Sequence, residues 1–334
     1  MKRLSRICVI YNLPGTSTTI NIEEADDDTK QSANSVYDTL KKCGYEVEIK
    51  AVGKEDIESL KDIDTDLVFN LVEWSGKETE LGVRVIKNLE EKGIAFTGSG
   101  SSGYELSSNK VLMKKRFEEL GIPSPKYQIY DGNYELGIMN YGFPVIVKPA
   151  LEHCGIGLTQ MSVVNTESEL RIRNHELWER FNQPILNEEY IEGREIQVTV
   201  FEKDGKPWVL PPAEVSFFDK PGRAKILTYD AKWNEESEDY GDSNIAVVQL
   251  SSELGDKVNA ICVKCYEQMD GRDYPRIDMR IKGNEVYVLE INNNPGMGFD
   301  TESGIGLSAR AVGLNYETML SHIVENAYSR YATV

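Results

Sequence analysis

The stretch RIDMRIKGNEVYVLEINNNPGM, residues 276–297, decides how this chain folds, because it contains two apolar strands joined by a tight turn. The turn Lys282–Glu285 lies between the two runs, which is typical of an antiparallel hairpin. Pairing of the strands brings Asp278 and Glu290 together on one face, with Asn292 at the end of the second strand. Two carboxylates and an amide oxygen are ligands that Mg²⁺ prefers beside nucleotide phosphates. The alternative is a solvated sheet face that carries acids by chance.

A lysine at the end of another apolar strand indicates the same kind of ligand. Residues 144–149 read PVIVKP with Lys148 as their one charge, and the glycine-containing loop Glu152–Gly157 follows. Backbone N–H groups of such a loop and the point charge of a lysine suit a triphosphate. A solvated lysine before a turn is the alternative, and the apolar character of the strand disfavours it.

The order of elements around these motifs predicts an α/β (α+β) protein. Strands and helices alternate in the first hundred residues, which implies a parallel sheet with covered faces. A helix over Asn109–Leu120 ends at Gly121 and Pro123, where we expect a domain boundary. Three domains are predicted: a Rossmann-like domain at 1–103, a small central domain with the phosphate loop at 104–190, and an antiparallel-sheet domain at 191–334. In the third, the aperiodic segment Glu214–Asp242 is expected to be an active-site lid.

Two further segments of the first domain have specific predictions. Periodicity predicts a helix over Ser35–Cys43 and a short strand over Ile94–Thr97. The strand leads into Gly98-Ser-Gly100-Ser-Ser-Gly103, which matches the G-x-G-x-x-G pattern of dinucleotide sites. Such a site needs an acid at the end of a second strand about 20 residues later, whereas Glu118 and Glu119 fall inside a helix. We interpret the glycines as a tight turn entering the active site, with dinucleotide binding as the alternative.

Charge and cysteine content limit the classes of function. The 334 residues include 37 Lys+Arg and 55 Asp+Glu, a net charge of −18. Phosphate backbones and anionic lipids repel such a chain, so we expect neither nucleic acid nor membrane as a partner. Five cysteines give no even disulfide framework and fit reduced thiols in a cytoplasmic protein. Cys262 and Cys265 are expected to be buried on one helix face rather than to bind zinc.

Six segments, taken in order, resemble the ATP-grasp superfamily and, within it, the D-alanine–D-alanine ligases. They are FTGSGSSGYELSSNK, FPVIVKP, NEEYIEGREIQV, DAKW, RIDMRI and VLEINNNPGM, and the resemblance runs from about Asp66 to the C-terminus. It implies the ATP-grasp fold, ATP and two Mg²⁺ ions as cofactors with Mn²⁺ as a substitute, small amino-acid or peptide substrates, and a homodimer. The implied activity is ligation of a carboxylate to an amine through an acyl phosphate.

The resemblance also implies roles for residues that match the family's nucleotide site. Lys110 and Lys148 match the lysines on the ATP α- and β-phosphates, and Lys232 in the lid matches the lysine that reaches the terminal phosphates. Glu188 matches the acid that accepts from the adenine amino group. The backbone of Glu189 to Ile191 matches the adenine edge, and Glu195 matches the acid on the ribose.

The remaining matches concern the metal ions and the reacting atoms. Asp278, Glu290 and Asn292 match the ligands of the two Mg²⁺ ions. Arg276 and the backbone N–H of Gly296 match groups that stabilise the anionic transition state, and donors of this kind typically contribute ~10²–10³ in rate.

The residues at the positions that bind the amino-acid substrates in the family depart from the family pattern. The family's N-terminal glutamate motif has no match in residues 11–28, its serine is Cys154 here, and its tyrosine is Trp233. The hydrogen-bonded link that these three residues form in the family is therefore predicted to be absent. Glu73 is a candidate replacement for the amine anchor, with a solvated loop acid as the alternative.

Other functions stay open at this point. The chain could ligate amino acids or peptides other than D-alanine. It could also be a nucleotide-binding protein without turnover, or transfer a phosphoryl group without ligation.

Overall fold

Three β-sheets organise the part of the chain that the structure describes. The structure is a computed structural model, and it describes residues 4–15, 23–132, 141–299 and 303–332. The strands of each sheet come from one of the three predicted domains. The domain boundaries themselves stay a prediction, since some helices pack against a sheet outside their own predicted domain.

The N-terminal sheet is parallel, as predicted. Its strands are β1 (Arg6–Asn12), β2 (Glu46–Val52) and β3 (Leu67–Leu71), in the order β2-β1-β3. Helix α1 (Glu23–Lys42) connects β1 to β2 and packs on these strands, and α2 (Thr79–Lys92), which follows β3, packs on the opposite face.

Side chains of β1 alternate between two cores. Ile7 and Val9 pack in one core with Leu40 of α1, whereas Cys8 and Ile10 belong to a second core with residues of α2. This alternation follows from the period of two in a strand. Both faces of the sheet are therefore covered, which a parallel sheet requires.

Helix α1 is longer than the sequence pattern predicted. It begins at Glu23 rather than at Ser35. Its first half is acidic and polar, so it has no apolar periodicity that would indicate a helix.

The strand predicted over Ile94–Thr97 is wrong in its extent. Only a single parallel bridge, between Val68 and Phe96, is present there. Gly98 has a φ of 84°, and its N–H donates to the carboxylate of Asp273. The chain therefore turns away from β3 before further residues can pair with that strand. The turn leads into α3 (Ser101–Ser108), and α4 (Lys110–Leu120) follows directly.

The central sheet is antiparallel and small. Its strands are β4 (Tyr127–Tyr130), β5 (Val145–Pro149), β6 (Val163–Val164) and β7 (Ile185–Glu189), in the order β4-β7-β5-β6. Helix α5 (Glu167–Phe181) packs on it through Leu170 and Leu177. The inner strands β5 and β7 carry Lys148 and Glu188.

The C-terminal sheet is antiparallel and contains the predicted hairpin. Its strands are β8 (Arg194–Lys203), β9 (Lys206–Val209), β10 (Ala213–Phe217), β11 (Ser243–Val247), β12 (Arg276–Lys282) and β13 (Glu285–Asn292). The order is β11-β10-β8-β12-β13, with β9 paired to β8. Asp278 lies directly opposite Glu290 in the β12–β13 ladder, which confirms the pairing inferred from residues 276–297.

The segment Glu214–Asp242 is more regular than predicted. It begins within β10, contains the short helix α6 (Tyr229–Trp233) and leads into β11. Thr228 caps α6 by accepting from the N–H of Ala231, and its hydroxyl donates to Asp239, which also pairs with Arg223. Polar contacts rather than a periodic apolar face stabilise this segment, so the hydrophobic pattern of the sequence did not predict its structure.

Helix α7 (Ser252–Gln268) and helix α4 pack together on the C-terminal sheet. Met113 and Phe117 of α4 share a core with Cys262 and Cys265 of α7. Both thiols are fully buried, which confirms that this C-x-x-C motif serves packing. The first helix of the predicted central domain thus belongs to the C-terminal core.

The C-terminal helices return to the first domain. Helix α8 (Gly304–Ala311) was not predicted, and α9 (Tyr316–Ala332) places Leu320 and Ile323 in the same core as Ile7 and Val9 of β1. Among the described residues, none of the helices is long and apolar enough to cross a bilayer.

Candidate active site

A cavity of about 300 Å³ lies where the central and C-terminal sheets meet. Its walls come from β5 and the loop after it, β7, β8, the lid helix α6, and the β12–β13 hairpin. All the residues to which the resemblance gave a role line this cavity. The fold therefore brings the whole set together, while their individual roles stay predictions.

Two lysines form one side of the cavity. The ammonium group of Lys110 donates to the carbonyl oxygen of Glu152 at 2.6 Å and lies 3.5 Å from Glu290 Oε2. Lys148 on β5 forms an ion pair with Glu188 on the neighbouring strand β7. Both lysines are buried, so their charges are held in place and poorly screened by solvent.

The paired acids of the β12–β13 hairpin form the facing wall. Asn292 donates its side-chain amide to Asp278 Oδ2 at 3.2 Å. Burial alone would raise the pKa of Glu290, but the charges of Lys110 and Lys148 lower it below its ordinary value, so this carboxylate is ionised.

This donor set fits Mg²⁺ that shares its coordination with phosphate. Two carboxylates and one amide supply only part of an octahedral shell, and Mg²⁺ commonly takes the rest from phosphate oxygens and water. Among the described residues, no group of three or more His, Cys, Asp or Glu side chains offers an all-protein metal site. The site therefore suits a metal ion that arrives with a nucleotide.

Arg276 is fixed by one of these acids. Its Nε and Nη2 donate to the two carboxylate oxygens of Asp278 at 2.7 and 2.8 Å. Burial would lower the pKa of Arg276, but the Asp278 carboxylate raises it, so the guanidinium stays charged. Gly296 lines the same cavity, and among the described residues, its two chain neighbours aside, no atom lies within 4 Å of the position that a Cβ would take. There is room beside this fixed cation for a substrate.

The predicted nucleotide acceptors are already bound to cations of the chain. Glu195 lies opposite Arg280 in the β8–β12 ladder and accepts from its Nη2 at 2.6 Å. Glu188 pairs with Lys148 through one oxygen and with Lys114 through the other, at an Nζ–Oε1 distance of 2.5 Å. None of these three ion pairs was predicted from the sequence.

Lys114 and Arg280 are thus functional-site candidates that sequence reasoning missed. Lys114 follows Lys110 by four residues on α4, and residues at that spacing share a helix face. Arg280 follows Asp278 by two residues on β12, and residues at that spacing share a strand face. Both spacings were visible in the sequence and could have indicated these residues.

The lid lies against the phosphate loop. Lys232 and Trp233 of α6 line the cavity, and the indole N–H of Trp233 donates to the carbonyl oxygen of Cys154 at 3.2 Å. Gly155 has a φ of 81°, and a Cβ there would lie 3.2 Å from the backbone N of Tyr229. A hydrogen bond thus joins the two positions where the family's serine and tyrosine were expected, but it uses the backbone of Cys154.

Glu73 reaches the cavity from the loop after β3. Its backbone N–H donates to Asn12 Oδ1 at 2.7 Å, which fixes the loop to the end of β1. Burial raises the pKa of Glu73 to about 7; the charge of Asp28 adds to the rise, whereas Arg276 and Lys232 oppose it. Glu73 is therefore a cavity-lining acid rather than a solvated loop acid.

The glycine turn Gly98–Gly103 supports the site from outside the cavity. The N–H of Ser99 donates to Asn294 Oδ1 at 3.0 Å, and a Cβ on Gly103 would lie 2.8 Å from the carbonyl oxygen of Asp270. The turn leads into two consecutive helices and not into a βαβ unit. The glycines therefore serve close packing next to Pro295 and Gly296, and the dinucleotide interpretation is not supported.

The fold and the cavity together define an ATP-grasp enzyme. The family model described as D-ala D-ala ligase C-terminus matches residues 117–325. A D-alanine–D-alanine ligase of Bacillus anthracis is 30% identical over 302 residues, which cover 89% of this chain and 91% of the relative. The chain therefore belongs to the D-alanine–D-alanine ligase family.

Two further comparisons extend over nearly the whole length. An uncharacterized protein of Sinorhizobium fredii is 29% identical over 316 residues, covering 90% of this chain and 88% of that protein. The crystal structure of D-alanine–D-alanine ligase from Bacillus anthracis complexed with ATP matches with a TM-score of 0.74 and 25% identity, covering 98% of this chain and 99% of that one. The chain is thus an ATP-grasp ligase, a class of enzymes that form amide bonds with ATP.

Proposed function

We propose that the protein joins the carboxylate of one amino acid to the amine of a second amino acid or small peptide, and that it converts ATP to ADP and phosphate in doing so. The observation that carries this proposal is the arrangement around one cavity of Lys110, Lys148, Arg276 and the Asp278–Glu290 pair. D-Alanine is the first substrate to test, because the named relatives are D-alanine–D-alanine ligases.

ATP is proposed to bind with its phosphates against Lys110 and Lys148, and Lys232 approaches them from the lid. The adenine lies along the backbone of Glu189 to Ile191, and the ribose lies near Glu195. Asp278, Glu290 and Asn292 would hold two Mg²⁺ ions, for which Mn²⁺ could substitute and which would supply neutralisation of phosphate charge.

The residues around the reacting atoms fit a two-step ligation. A carboxylate is a poor electrophile, so it must first receive a phosphoryl group and become an acyl phosphate. Attack by the amine then produces a tetrahedral oxyanion, which Arg276 and the N–H of Gly296 stabilise, and its collapse expels phosphate, with loss of an amine proton, to leave the amide. An acyl phosphate hydrolyses readily, and the contact of Trp233 with Cys154 holds the lid over it against water.

Glu73 is proposed to bind the ammonium group of the first substrate. Its carboxylate lines the cavity, and the described part of the chain provides no lysine or arginine that forms an ion pair with it. A substrate ammonium would supply that missing charge. This assignment replaces the N-terminal glutamate that the family pattern leads one to expect.

A substrate panel tests the proposal. The protein is mixed with ATP, Mg²⁺ and pairs of D- or L-amino acids, and phosphate release and product mass are measured. One amide product per phosphate is expected. Phosphate release with L- but not D-alanine would eliminate D-alanine ligation, and a stable phosphorylated product without amide would indicate phosphoryl transfer. Tight ATP binding without stimulated ADP formation by any pair would indicate a binding protein.

The proposal includes a homodimer in the cytoplasm. It includes neither a nucleic-acid nor a membrane partner, because the net charge of −18 disfavours both.

A further inference from the structure

The segment that carries Gly296 lies between two fixed points. Strand β13 ends at Asn292, and Met297 is fully buried in the core that α9 shares with β1. The carbonyl oxygen of Met297 also accepts from the hydroxyl of Tyr316 at 3.0 Å. Between these points, residues 293–296 form no backbone–backbone hydrogen bond with other described residues outside the helices and strands. Side-chain contacts must therefore determine the position of the Gly296 N–H.

Two asparagine amides supply these contacts. Asn293 is fully buried, and its Nδ2 donates to the carbonyl oxygens of Gly103 at 2.8 Å and of Met269 at 3.0 Å. Asn294 accepts through Oδ1 from the N–H of Ser99 at 3.0 Å. In the described part of the chain, Gly296 lines the cavity and neither asparagine does. The segment is thus attached to the glycine turn, which itself lies outside the cavity.

The glycine turn is in turn fixed by the C-terminal helix. The N–H of Gly98 donates to Asp273 Oδ2 at 2.7 Å, and Arg330 of α9 donates to both oxygens of this carboxylate, at 2.7 and 3.0 Å. A Cβ on Gly98 would overlap Asn294 Oδ1 and lie only 2.8 Å from Asn294 Cγ. A glycine at this position therefore allows the Asn294 amide to lie directly against the turn.

We propose that Asn294 is a positioning residue for amide formation. It does not touch the substrate; it holds the backbone that carries the Gly296 N–H. Only Pro295 separates the two residues, and the φ of a proline is fixed by its ring, so the position of Asn294 is transmitted to the N–H of Gly296 with little freedom. The inference rests on the proposed function, which assigns that N–H to the oxyanion, and adds a residue outside the cavity wall.

A pair of alanine variants tests this role. Asn294→Ala removes the acceptor for the Ser99 N–H. Asn88→Ala is the matched control, because Asn88 is buried in the N-terminal domain, its Nδ2 donates to the carbonyl oxygen of Ile57 at 3.0 Å, and it does not line the cavity. On the full chain, kcat and KM are measured with the amino-acid pair that forms an amide in the substrate panel. Calorimetry gives the Kd of ATP, and denaturant unfolding gives the stability.

Asn294→Ala is expected to lower the kcat of amide formation by about 10- to 100-fold, because a displaced donor stabilises the oxyanion less well. The oxyanion exists only in the transition state, so the KM of both amino acids and the Kd of ATP should stay unchanged. The control should lose stability and keep its kcat. An asparagine with a purely structural role would behave as the control does.

Gly98→Ala tests the same contact from the other side. Its methyl group has to displace the Asn294 amide, so kcat should fall by a similar factor. In the double variant Gly98→Ala/Asn294→Ala that amide is absent, so the two effects on kcat should not add.

Three results would overturn the proposal. They are a wild-type kcat in Asn294→Ala, an equal weakening of ATP binding in that variant, and losses of kcat that multiply in the double variant. Should Gly98→Ala fail to fold, the comparison of Asn294→Ala with Asn88→Ala alone decides. A wild type that forms no amide with any pair of the panel would instead refute the proposed function, so the two failures are distinct.

Discussion

Replacing Glu73 by glutamine is expected to stabilise the fold at alkaline pH while it removes the proposed anchor for the substrate ammonium. Burial raises the pKa of Glu73 from 4.5 to about 7. Between these two values the folded chain binds more protons at this site than the unfolded chain does. The free energy of unfolding therefore falls as the pH rises from 4.5 to about 7. Above that range, the full destabilisation that comes from ionising the buried Glu73 is present.

The pKa shift gives the size of this effect. One pKa unit corresponds to about 1.4 kcal/mol, so the rise from 4.5 to about 7 amounts to roughly 3 kcal/mol at pH 8. Glutamine has nearly the same shape and cannot ionise. Glu73→Gln is therefore expected to raise the free energy of unfolding by up to about 3 kcal/mol at pH 8, but by about 1 kcal/mol or less at pH 5. Burial is the largest cause of the raised pKa of Glu73, and four charged neighbours modify it: Asp28 and Glu290 raise the pKa further, whereas Arg276 and Lys232 lower it.

Denaturant unfolding of the ligand-free protein at pH 5 and pH 8 measures the difference. Glu105→Gln on α3 is the control, because Glu105 is exposed, and it should not change stability at either pH. In the ligation assay Glu73→Gln should raise the KM of the first amino acid and leave the KM of ATP unchanged. A stability gain that is absent at pH 8, or equal at both pH values, would refute the reasoning that Glu73 is a desolvated carboxylate.

Three further substitutions address the nucleotide side and the lid. Lys148→Ala should weaken ATP binding by at least about tenfold, and an unchanged affinity in calorimetry would contradict its assignment. Glu290→Gln should shift the Mg²⁺ dependence of activity to higher concentrations; an unaltered metal titration would remove Glu290 from the ligand set. Gly155→Ala places a methyl group on a residue whose φ is 81°, 3.2 Å from the backbone N of Tyr229, so the lid should close poorly. Water would then hydrolyse part of the acyl phosphate, and the reaction should release more phosphate than amide. Equal yields of phosphate and amide would show that the lid still closes.

Local patterns were sufficient to predict the elements that position the site. The alternation in residues 276–297 fixed the β12–β13 hairpin, and with it the Asp278–Glu290 pair, because a turn of known length sets the register of a hairpin. The apolar run before Lys148 likewise indicated a buried strand ending at a polar cavity. Both inferences depend only on residues close to each other in the chain.

Contacts between distant segments were not predictable in the same way. Lys114 and Glu188 are far apart in sequence, and nothing in either segment shows that α4 crosses to the central sheet at this point. The acidic start of α1 and the polar contacts within Glu214–Asp242 have no apolar period, so pattern reading missed their structure. Tertiary packing and ion pairs decide these features, and single-segment periodicity contains no information about them.

The acidity of the chain extends into the cavity and has a consequence for nucleotide binding. Among the described residues that line it, five side chains are Lys or Arg and eight are Asp or Glu, a formal charge of −3. Four of the cations already have acidic neighbours: Lys148 has Glu188, Arg276 has Asp278, Arg280 has Glu195, and Lys110 lies near Glu290. Free ATP would therefore bring a highly anionic group against a wall that is itself negative, and poorly screened charges at such distances repel strongly.

A divalent cation between the hairpin acids and the phosphates reverses this balance. We therefore expect removal of divalent cations with EDTA to weaken ATP binding by at least about tenfold and to leave adenosine binding unchanged, in competition experiments at constant ionic strength. ATP that bound equally tightly in EDTA would show that the lysines alone outweigh the acids, and Asp278 and Glu290 would then lose their assignment as metal ligands. In the proposed ATP site the lysines would orient the phosphates, and in so acidic a cavity a bound metal ion would supply most of the attraction.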